Sequence, residues 1–281
     1  MQDYAHPETL VSTDWVAGNK DNSDVVVVEV DVDTGGYDQG HIPGASGWNW
    51  SEQLCDQVVR DILPREGMEK LLSSSGIGND TTVVLYGDNN NWFAAWAFWQ
   101  MKVYGHEKVA IMNGGRSKWL EEGRELSTEA PAPEPADYSA AEADNSLRSF
   151  LPGVQETLAT GSADMVDVRS PEEFSGEILA PPGLPETCQR GGHIPGARSV
   201  PWGLACNEDG TFRTREELAD LYASRGISGE RPIIAYCRIG ERSSHTWFVL
   251  KYLLGFDGIT NYDGSWTEYG NLVGVEIEKG S

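Results

Sequence analysis

"GHIPGA" stands at residues 40–45 and again at residues 192–197 of the 281-residue chain. The two copies are not isolated, because "VVLYGDNNNW" at 83–92 aligns with "IIAYCRIGER" at 233–242, a shift of 150 residues. Similar stretches that recur in the same order at nearly one spacing indicate an internal duplication. The sequence therefore predicts two domains that share one fold.

The segment between the two halves has the composition of a linker. Residues 127–146, "STEAPAPEPADYSAAEADNS", are rich in proline, alanine and acidic residues and show no apolar period. Such a composition favours an extended connection over a helix or a strand. A chain of this length has room for two domains of ordinary size. We expect an N-terminal domain over residues 1–135 and a C-terminal domain over residues 136–281.

Short apolar runs alternate with helical patterns in the second half. "ADMVDV" at 163–168 and "RPIIAYC" at 231–237 predict strands. "TREELADLYASRG" predicts a helix with a capping box that begins at Thr214, and "SSHTWFVLKYLLG" at 243–255 predicts a second, largely buried helix. This alternation predicts an α/β fold, in which each of the two tandem domains has a mainly parallel sheet flanked by helices.

Cys237 follows one of these strands, at the end where ligands bind to parallel sheets. The next helix is expected to begin near Ser243, so the amides of the turn and of the first helical turn can converge on one point. Gly240 permits the backbone angles that such a turn needs. Arg238 and Arg242 add positive charge, and we expect the pKa of the Cys237 thiol to be lowered. The alternative is a buried structural cysteine.

The first half lacks a cysteine and loop arginines at the corresponding position. Gly87 stands where the second half has Cys237, and "DNNNW" follows it instead of "RIGERS". Neither a thiol nor an arginine is present in that loop. We therefore predict that only the second domain is catalytic.

Several motifs together identify a family. "DVRSPEEF" at 167–174, "YCRIGERS" at 236–243, "NYDGSW" at 261–266 and the two "GHIPGA" copies resemble the two-domain rhodaneses, the thiosulfate sulfurtransferases. The resemblance covers nearly the whole chain. It implies an inactive N-terminal domain packed on a catalytic C-terminal one, with the active loop at their interface. It also implies a ping-pong reaction, in which a cysteine takes the outer sulfur of thiosulfate as a persulfide, releases sulfite and passes that sulfur to cyanide or another thiophilic acceptor.

The resemblance assigns roles within the loop. Cys237 becomes the nucleophile that forms the persulfide, and the side chains of Arg238 and Arg242 bind the anionic substrate. No metal and no organic cofactor is implied. The amides that the resemblance places around the persulfide are those of Ile239, Gly240, Glu241 and Ser243.

Arg169 is a further candidate, because "DVRSPEEF" matches a stretch that in some members supplies a substrate-binding arginine. Glu173 stands where several members carry a later arginine. A salt bridge from Arg169 to the loop or to a nearby acid is the alternative role.

The second half also contains an insertion, at residues 175–191. It includes the Pro/Gly-rich stretch "ILAPPGLPETCQR", and loops of this kind often carry function. We expect it either to cap the site or to seal the domain interface. Cys188 within it is a less favoured redox partner for Cys237. His41 and His193 of the repeated motif are expected to serve in turns and strand pairing rather than in catalysis.

Other enzymes and a non-enzymatic role remain as alternatives. A 3-mercaptopyruvate sulfurtransferase is the closest alternative, although its loop typically has small neutral residues after the cysteine, where this chain has Arg238. Phosphatases and arsenate reductases of related fold place five residues between cysteine and arginine, whereas the four residues "RIGE" separate Cys237 from Arg242. A protein that only binds ligands would fit Gly87 in the first half but not the loop of the second.

Composition limits the partners. Forty-four Asp and Glu residues against 21 Lys and Arg give a net charge of −23, which disfavours binding to nucleic acid. No apolar run approaches a membrane span, no secretory signal is seen at the start, and the four cysteines show no metal-binding spacing. We expect a cytoplasmic enzyme whose partners are a small-molecule sulfur donor and a thiophilic acceptor. The acidic residues are spread along the chain, a pattern that favours a salt-loving cytoplasm.

This charge yields a test in salt. Diffuse negative charge makes the folded state repel itself until cations screen it, and screening is short-ranged at molar salt. We expect the melting temperature to rise substantially between low salt and molar KCl, measured by circular dichroism. A flat response would remove the halophilic interpretation and leave the predicted chemistry untouched.

Overall fold

The computed structural model describes residues 3–181 and 188–280. These residues form two compact units. One unit consists of the described parts of Met1–Ala5, Asn145–Ala205 and Arg213–Ser281, and the other consists of His6–Asp144 and Cys206–Phe212. The assignment of catalysis to residues 136–281 alone stays a prediction. Of the insertion at 175–191, residues 182–187 lie outside the described part of the chain.

Each unit has a central parallel sheet. In the described part of the first half the strands are β1 (Leu10–Val11), β2 (Val25–Glu29), β3 (Ser46–Gly47), β4 (Thr82–Tyr86) and β5 (Val109–Met112). In the described part of the second half they are β6 (Arg148–Ser149), β7 (Asp164–Asp167), β8 (Arg198–Ser199), β9 (Ile233–Tyr236) and β10 (Ile259–Tyr262). The strand orders are β1-β5-β4-β2-β3 and β6-β10-β9-β7-β8, and every neighbouring pair is parallel.

Helices flank both sheets. The first half contains α1 (Thr13–Asn19), α2 (Gly36–Gln39), α3 (Trp50–Gln53), α4 (Arg65–Ser74), α5 (Trp92–Val103) and α6 (Gly115–Glu121). The second half contains α7 (Leu151–Thr160), α8 (Pro171–Ser175), α9 (Arg215–Ala223), α10 (Glu241–Phe248) and α11 (Ser265–Tyr269). Short 3-10 helices span Pro7–Thr9, Asn89–Asn91, Asn145–Leu147 and Trp202–Ala205, and α10 continues as a π-helix over Val249–Leu253.

The two sheets have the same topology, which confirms the predicted α/β fold with tandem domains. The equivalent pairs are also in the same register, because Glu29 lies opposite Tyr86 in the first sheet and Asp167 lies opposite Tyr236 in the second. The central strands are apolar along most of their length because both faces of a parallel sheet are covered. The strand β9, for example, is buried at every residue.

The predicted helices are present with one shifted boundary. Thr214 and Glu217 form the reciprocal hydrogen bonds of a capping box at the start of α9, as predicted. The helix after Cys237 begins at Glu241 and not near Ser243. It begins earlier because Gly240 at its N-terminus adopts φ +103°, which turns the chain directly into the helix.

The repeated "GHIPGA" motif has the same structural use in both halves. His41 and His193 each pair through the backbone with an antiparallel partner, Ser127 and Glu278 respectively. The His41 ring stacks on Tyr37, whose carbonyl oxygen lies 3.0 Å from Nδ1. The His193 ring likewise stacks on Phe174, and its Nδ1 lies 2.8 Å from the Phe174 carbonyl oxygen. These contacts agree with the expected turn and pairing role.

The described residues offer neither a membrane span nor a metal-binding cluster. Within 3–181 and 188–280, no helix is long and apolar enough to cross a membrane. Over the same residues, no group of three or more His, Cys, Asp or Glu side chains is placed to hold a metal ion.

The turn from β9 into α10 has almost no free space. A Cβ atom on Gly240 would lie 2.6 Å from Cα and 2.8 Å from Cβ of Asp263. Such distances are shorter than van der Waals contact, so a side chain there requires the backbone of Asp263 to move. Gly240 is therefore required both by its left-handed backbone angles and by its packing.

Comparing Gly240→Ala with Gly161→Ala separates the cost of left-handed backbone angles from the cost of the clash with Asp263. Gly161 ends α7 at φ +65°, and a methyl group there would have nothing within 4 Å, so alanine adds only backbone strain of about 1–2 kcal/mol. At Gly240 the clash with Asp263 adds about 1–3 kcal/mol more to the loss in unfolding free energy. Chemical denaturation of both variants measures the difference. Equal losses would show that the turn is not tightly packed.

Candidate functional site

Cys237 lies directly after β9 and is fully buried. Its amide donates to Ser265 Oγ at 3.1 Å, and its carbonyl oxygen accepts from the amide of Trp266 at 3.1 Å. The amide of Gly240 donates to its sulfur at 3.1 Å. The thiol also contacts a carboxylate, with 3.5 Å between Sγ and Oε2 of Glu241. The sulfur thus lies inside the turn, between an amide and an acid.

The electrostatics differ from the prediction. Burial raises the pKa of the Cys237 thiol above its ordinary value, and the negative charge of Glu241 adds to that rise. Arg242 and the hydrogen bonds of Ser243 lower the pKa but do not outweigh burial. The predicted lowering of the thiol pKa is therefore wrong. That prediction counted the positive charges of the loop and left out the burial of the sulfur and the carboxylate beside it.

Arg242 is neutralised by a residue from a different helix. Its two terminal nitrogens donate to Glu173, Nη1 to Oε2 at 2.8 Å and Nη2 to Oε1 at 3.0 Å. Both side chains are buried. Although burial alone would raise it, the hydrogen bonds and charge of Arg242 hold the pKa of Glu173 below its usual value. Glu173 is itself held by Ser170 in the capping box of α8. Glu173, which stands where several members of the family carry an arginine, is therefore the ion-pair partner of Arg242.

The other predicted loop residues surround the same point. Arg238 is 5% exposed, and its Nη2 lies 4.0 Å from Oε1 of Glu241, a looser contact than the one at Arg242. Ile239 is half-buried. Ser243 is fully buried, and its hydroxyl lies 2.9 Å from the carbonyl oxygen of Gly240.

Arg169 has a structural partner. It is fully buried, and its Nη2 donates to Asp167 Oδ2 at 2.6 Å and to the carbonyl oxygen of Gly192 at 2.7 Å. Its guanidinium lies 4.7 Å from the ring centroid of Trp266. These contacts agree with the alternative role of Arg169, a salt bridge to a nearby acid. A role of Arg169 in binding substrate stays a prediction.

Sequence reasoning missed the residues that brace the turn from β10 and α11. Asn261 is fully buried, its Nδ2 donates to the carbonyl oxygen of Gly240 at 2.9 Å, and its Oδ1 lies 2.6 Å from Ser243 Oγ. Ser265 accepts from the amide of Cys237, as described above. Both belong to "NYDGSW", which served to identify the family but received no role. The presence of polar residues in this otherwise buried segment was the signal that could have indicated their hydrogen-bonding role.

Cys188 and His245 are both buried away from the Cys237 sulfur contacts described above. None of the four cysteines, all of which the structure describes, forms a disulfide. Cys188 is buried in the core, and its thiol donates to the carbonyl oxygen of Arg190 at 3.0 Å. Burial raises the pKa of that thiol. His245 is fully buried on α10 and packs edge-to-face against Trp202. A redox role for Cys188 stays a prediction.

The first half has no room for a nucleophile at the equivalent point. A Cβ atom on Gly87 would lie 2.1 Å from the carbonyl oxygen of Val30. The loop after it is held by a carboxyl group, because the amide of Asp88 donates to Asp31 Oδ1 at 2.7 Å. Burial raises the pKa of Asp31 to about 8. Among the described residues, the loop after β4 therefore lacks the thiol that follows β9 in the second half, where the amide of Gly240 donates to the sulfur.

Known proteins are similar in sequence to both halves of the chain. Residues 12–122 and 153–272 each match the Rhodanese-like domain. A protein of Haloferax volcanii, provisionally named a thiosulfate sulfurtransferase, is 55% identical over 284 residues, which is 99% of each chain. The sulfur carrier protein TtuD of Thermus thermophilus is 54% identical over 281 residues, again 99% of each chain.

Several solved structures are similar to this chain in fold and sequence. The anaerobic ergothioneine biosynthesis enzyme of Chlorobium limicola, solved with trimethyl histidine, matches with a TM-score of 0.85 and 27% identity, over 100% of this chain and 72% of that one. An EanB variant with a cysteine persulfide, solved with ergothioneine, matches with a TM-score of 0.86 and 27% identity, over 100% of this chain and 73% of that one. The chain therefore belongs to the rhodanese family, with one rhodanese-like domain in each half.

Proposed function

We propose that this protein is a thiosulfate sulfurtransferase that carries sulfur on Cys237. The observation that carries the proposal is the sulfur itself, which is held at the end of β9 with the Gly240 amide 3.1 Å away and α10 beginning next to it. An anion at this point meets backbone donors and the positive end of a helix dipole. A persulfide is such an anion.

The reaction has two halves. The Cys237 thiolate attacks the outer sulfur of thiosulfate, the S–S bond of thiosulfate breaks, and sulfite leaves with the bonding electron pair. Cyanide or another thiophilic acceptor then attacks the outer sulfur of the persulfide, and the Cys237 thiolate leaves. Donors that are already in place stabilise the charge at each stage without reorganisation.

The names of the relatives support a reaction of this class. A thiosulfate donor agrees with the name of the Haloferax volcanii protein, and the EanB variant shows that a rhodanese-like neighbour can carry a cysteine persulfide. The name of the Thermus thermophilus relative supports an acceptor that is a further sulfur-handling molecule rather than cyanide.

Charge neutralisation around the loop favours 3-mercaptopyruvate as a second candidate donor. Arg242 is paired with Glu173, and Glu241 lies near both Arg238 and the sulfur. A dianion such as thiosulfate gains less from arginines whose charge is offset than from unpaired ones. We retain thiosulfate as the first choice because Arg238 follows the nucleophile directly, and arginine suits forked oxyanions.

Replacing the nucleophile tests the proposal. We expect Cys237→Ser to reduce sulfur transfer to the uncatalysed level, because a hydroxyl neither ionises at neutral pH nor forms a persulfide. The measurement is intact-protein mass spectrometry after incubation with thiosulfate, in which the wild type gains one sulfur atom that cyanide removes. Cys55→Ser, Cys188→Ser and Cys206→Ser serve as controls and should keep most activity. If Cys188→Ser alone loses turnover under reducing conditions, the insertion at 175–191 takes part in catalysis.

Donor preference tests the substrate. We expect kcat/KM for thiosulfate to exceed that for 3-mercaptopyruvate by at least about tenfold, which is about 1.4 kcal/mol in transition-state binding. Arg238→Gly should shrink or invert this ratio by weakening thiosulfate more, whereas Arg225→Gly, at an exposed arginine, should leave it unchanged. Steady-state kinetics with both donors at one salt concentration measures the ratio. A wild-type preference for 3-mercaptopyruvate would make the second candidate the correct one.

A further inference from the structure

We infer that the Glu241 carboxylate is the proton acceptor for Cys237, taking the thiol proton when the persulfide forms and returning it when the sulfur leaves. The family resemblance assigns a role to Glu241 only through its backbone amide. The inference rests on the proposed sulfur transfer and adds a catalytic residue to it.

The geometry places the acid on the reacting atom. Oε2 of Glu241 lies 3.5 Å from Sγ of Cys237, within hydrogen-bonding distance for a sulfur donor. Glu241 is 2% exposed and Cys237 is 0% exposed, so solvent has little access to the proton between them. The Gly240 amide approaches the sulfur as a donor, and this contact favours the thiolate once the proton has moved.

The other charged groups that face this pair are poorly suited to accept the proton. Arg238 and Arg242 are cations and have no acceptor atom. Glu173, from α8, uses both carboxylate oxygens to bind Arg242. Glu241 is thus the carboxylate in direct contact with the sulfur.

Burial acts on both members of the pair in a way that suits proton exchange. It raises the pKa of the thiol and also raises the pKa of Glu241. A higher pKa makes the carboxylate a stronger base toward the thiol proton. Release of the thiol proton to water would instead leave two negative charges, on Sγ and on Glu241, in a buried site.

The proton and electrons balance over the whole cycle. In the first half-reaction the proton moves from sulfur to Glu241, the thiolate bonds to the outer sulfur of thiosulfate, and sulfite leaves with the electron pair. In the second, cyanide takes the outer sulfur as thiocyanate, the Cys237 thiolate is released, and it recovers the proton from Glu241. No other proton donor and no oxidant or reductant is needed.

Glu241→Gln removes the acceptor and keeps the size of the side chain. The rate of persulfide formation from thiosulfate is measured in single turnovers between about pH 5.5 and pH 9, the range in which thiols and carboxyl groups of raised pKa titrate. Iodoacetamide serves as a second electrophile that needs the thiolate but no sulfane sulfur. The ultraviolet absorbance of the thiolate, corrected with Cys237→Ser, reports the pKa of Cys237. Glu216→Gln, at an exposed glutamate in the first turn of α9, is the matched control.

The pKa of Cys237 and the rate of persulfide formation should both fall in Glu241→Gln, although a lower thiol pKa alone would raise the rate. Loss of the neighbouring negative charge should lower the pKa of Cys237 in Glu241→Gln. Persulfide formation at pH 7 should nevertheless fall by at least about tenfold, since proton acceptance by a positioned group typically contributes more than that. The wild-type rate should be nearly flat between the pKa values of Glu241 and Cys237. In the variant it should rise about tenfold per pH unit below the thiol pKa, because only the free thiolate then reacts.

The outcomes separate the two proposals. If Glu241→Gln reacts as fast as the wild type or faster across the pH range, Glu241 only holds back the thiolate, and the inference is overturned. If the wild type forms no persulfide from thiosulfate, the proposed function fails, and the alkylation profiles still decide whether Glu241 accepts the proton. Should Glu241→Gln not fold, Glu241→Asp replaces it. That variant keeps the charge and should show a slower rate with the flat wild-type profile.

Discussion

The reversal of the chain at Gly240 is the constraint on which the site depends. Its left-handed conformation, at φ +103°, allows α10 to begin with only four residues between it and the end of β9, and this brings an amide to 3.1 Å from the Cys237 sulfur. The reversal is held from the neighbouring strand, because Asn261 binds the Gly240 carbonyl oxygen and Asp263 fills the space where a side chain would be. The position of the Cys237 sulfur therefore depends on how the backbone of the turn is packed.

Buried charge is balanced separately in each half. In the second half, Asp167 at the end of β7 binds Arg169, two residues further along the same segment. In the first half, the equivalent acid is Glu29, and its partner is Arg116 on α6, with 2.5 Å between Oε1 and Nη1. An unpaired buried charge is costly, so an acid at this strand end needs an arginine nearby. The two copies meet the same requirement with arginines from different elements.

Much of the fold follows from local patterns. Apolar runs predicted β7 and β9, the capping box predicted the start of α9, and the repeated motif predicted two domains of one topology. The site was predictable only in part. The position of Cys237 follows from its place after a strand, but the bond between Glu173 and Arg242 joins residues 69 positions apart and depends on side-chain directions. The sign of the thiol pKa shift depended on burial and on Glu241, and a count of the positive charges in the loop includes neither.

The position of the Val30 carbonyl group also limits what a single substitution at Gly87 can achieve. With only 2.1 Å between a Cβ atom and the Val30 carbonyl oxygen, a change from glycine to cysteine at this position would displace backbone of the first sheet. A thiol after β4 would thus require a second change, one that moves Val30. The two copies therefore differ at this point in the space beside the backbone as well as in sequence.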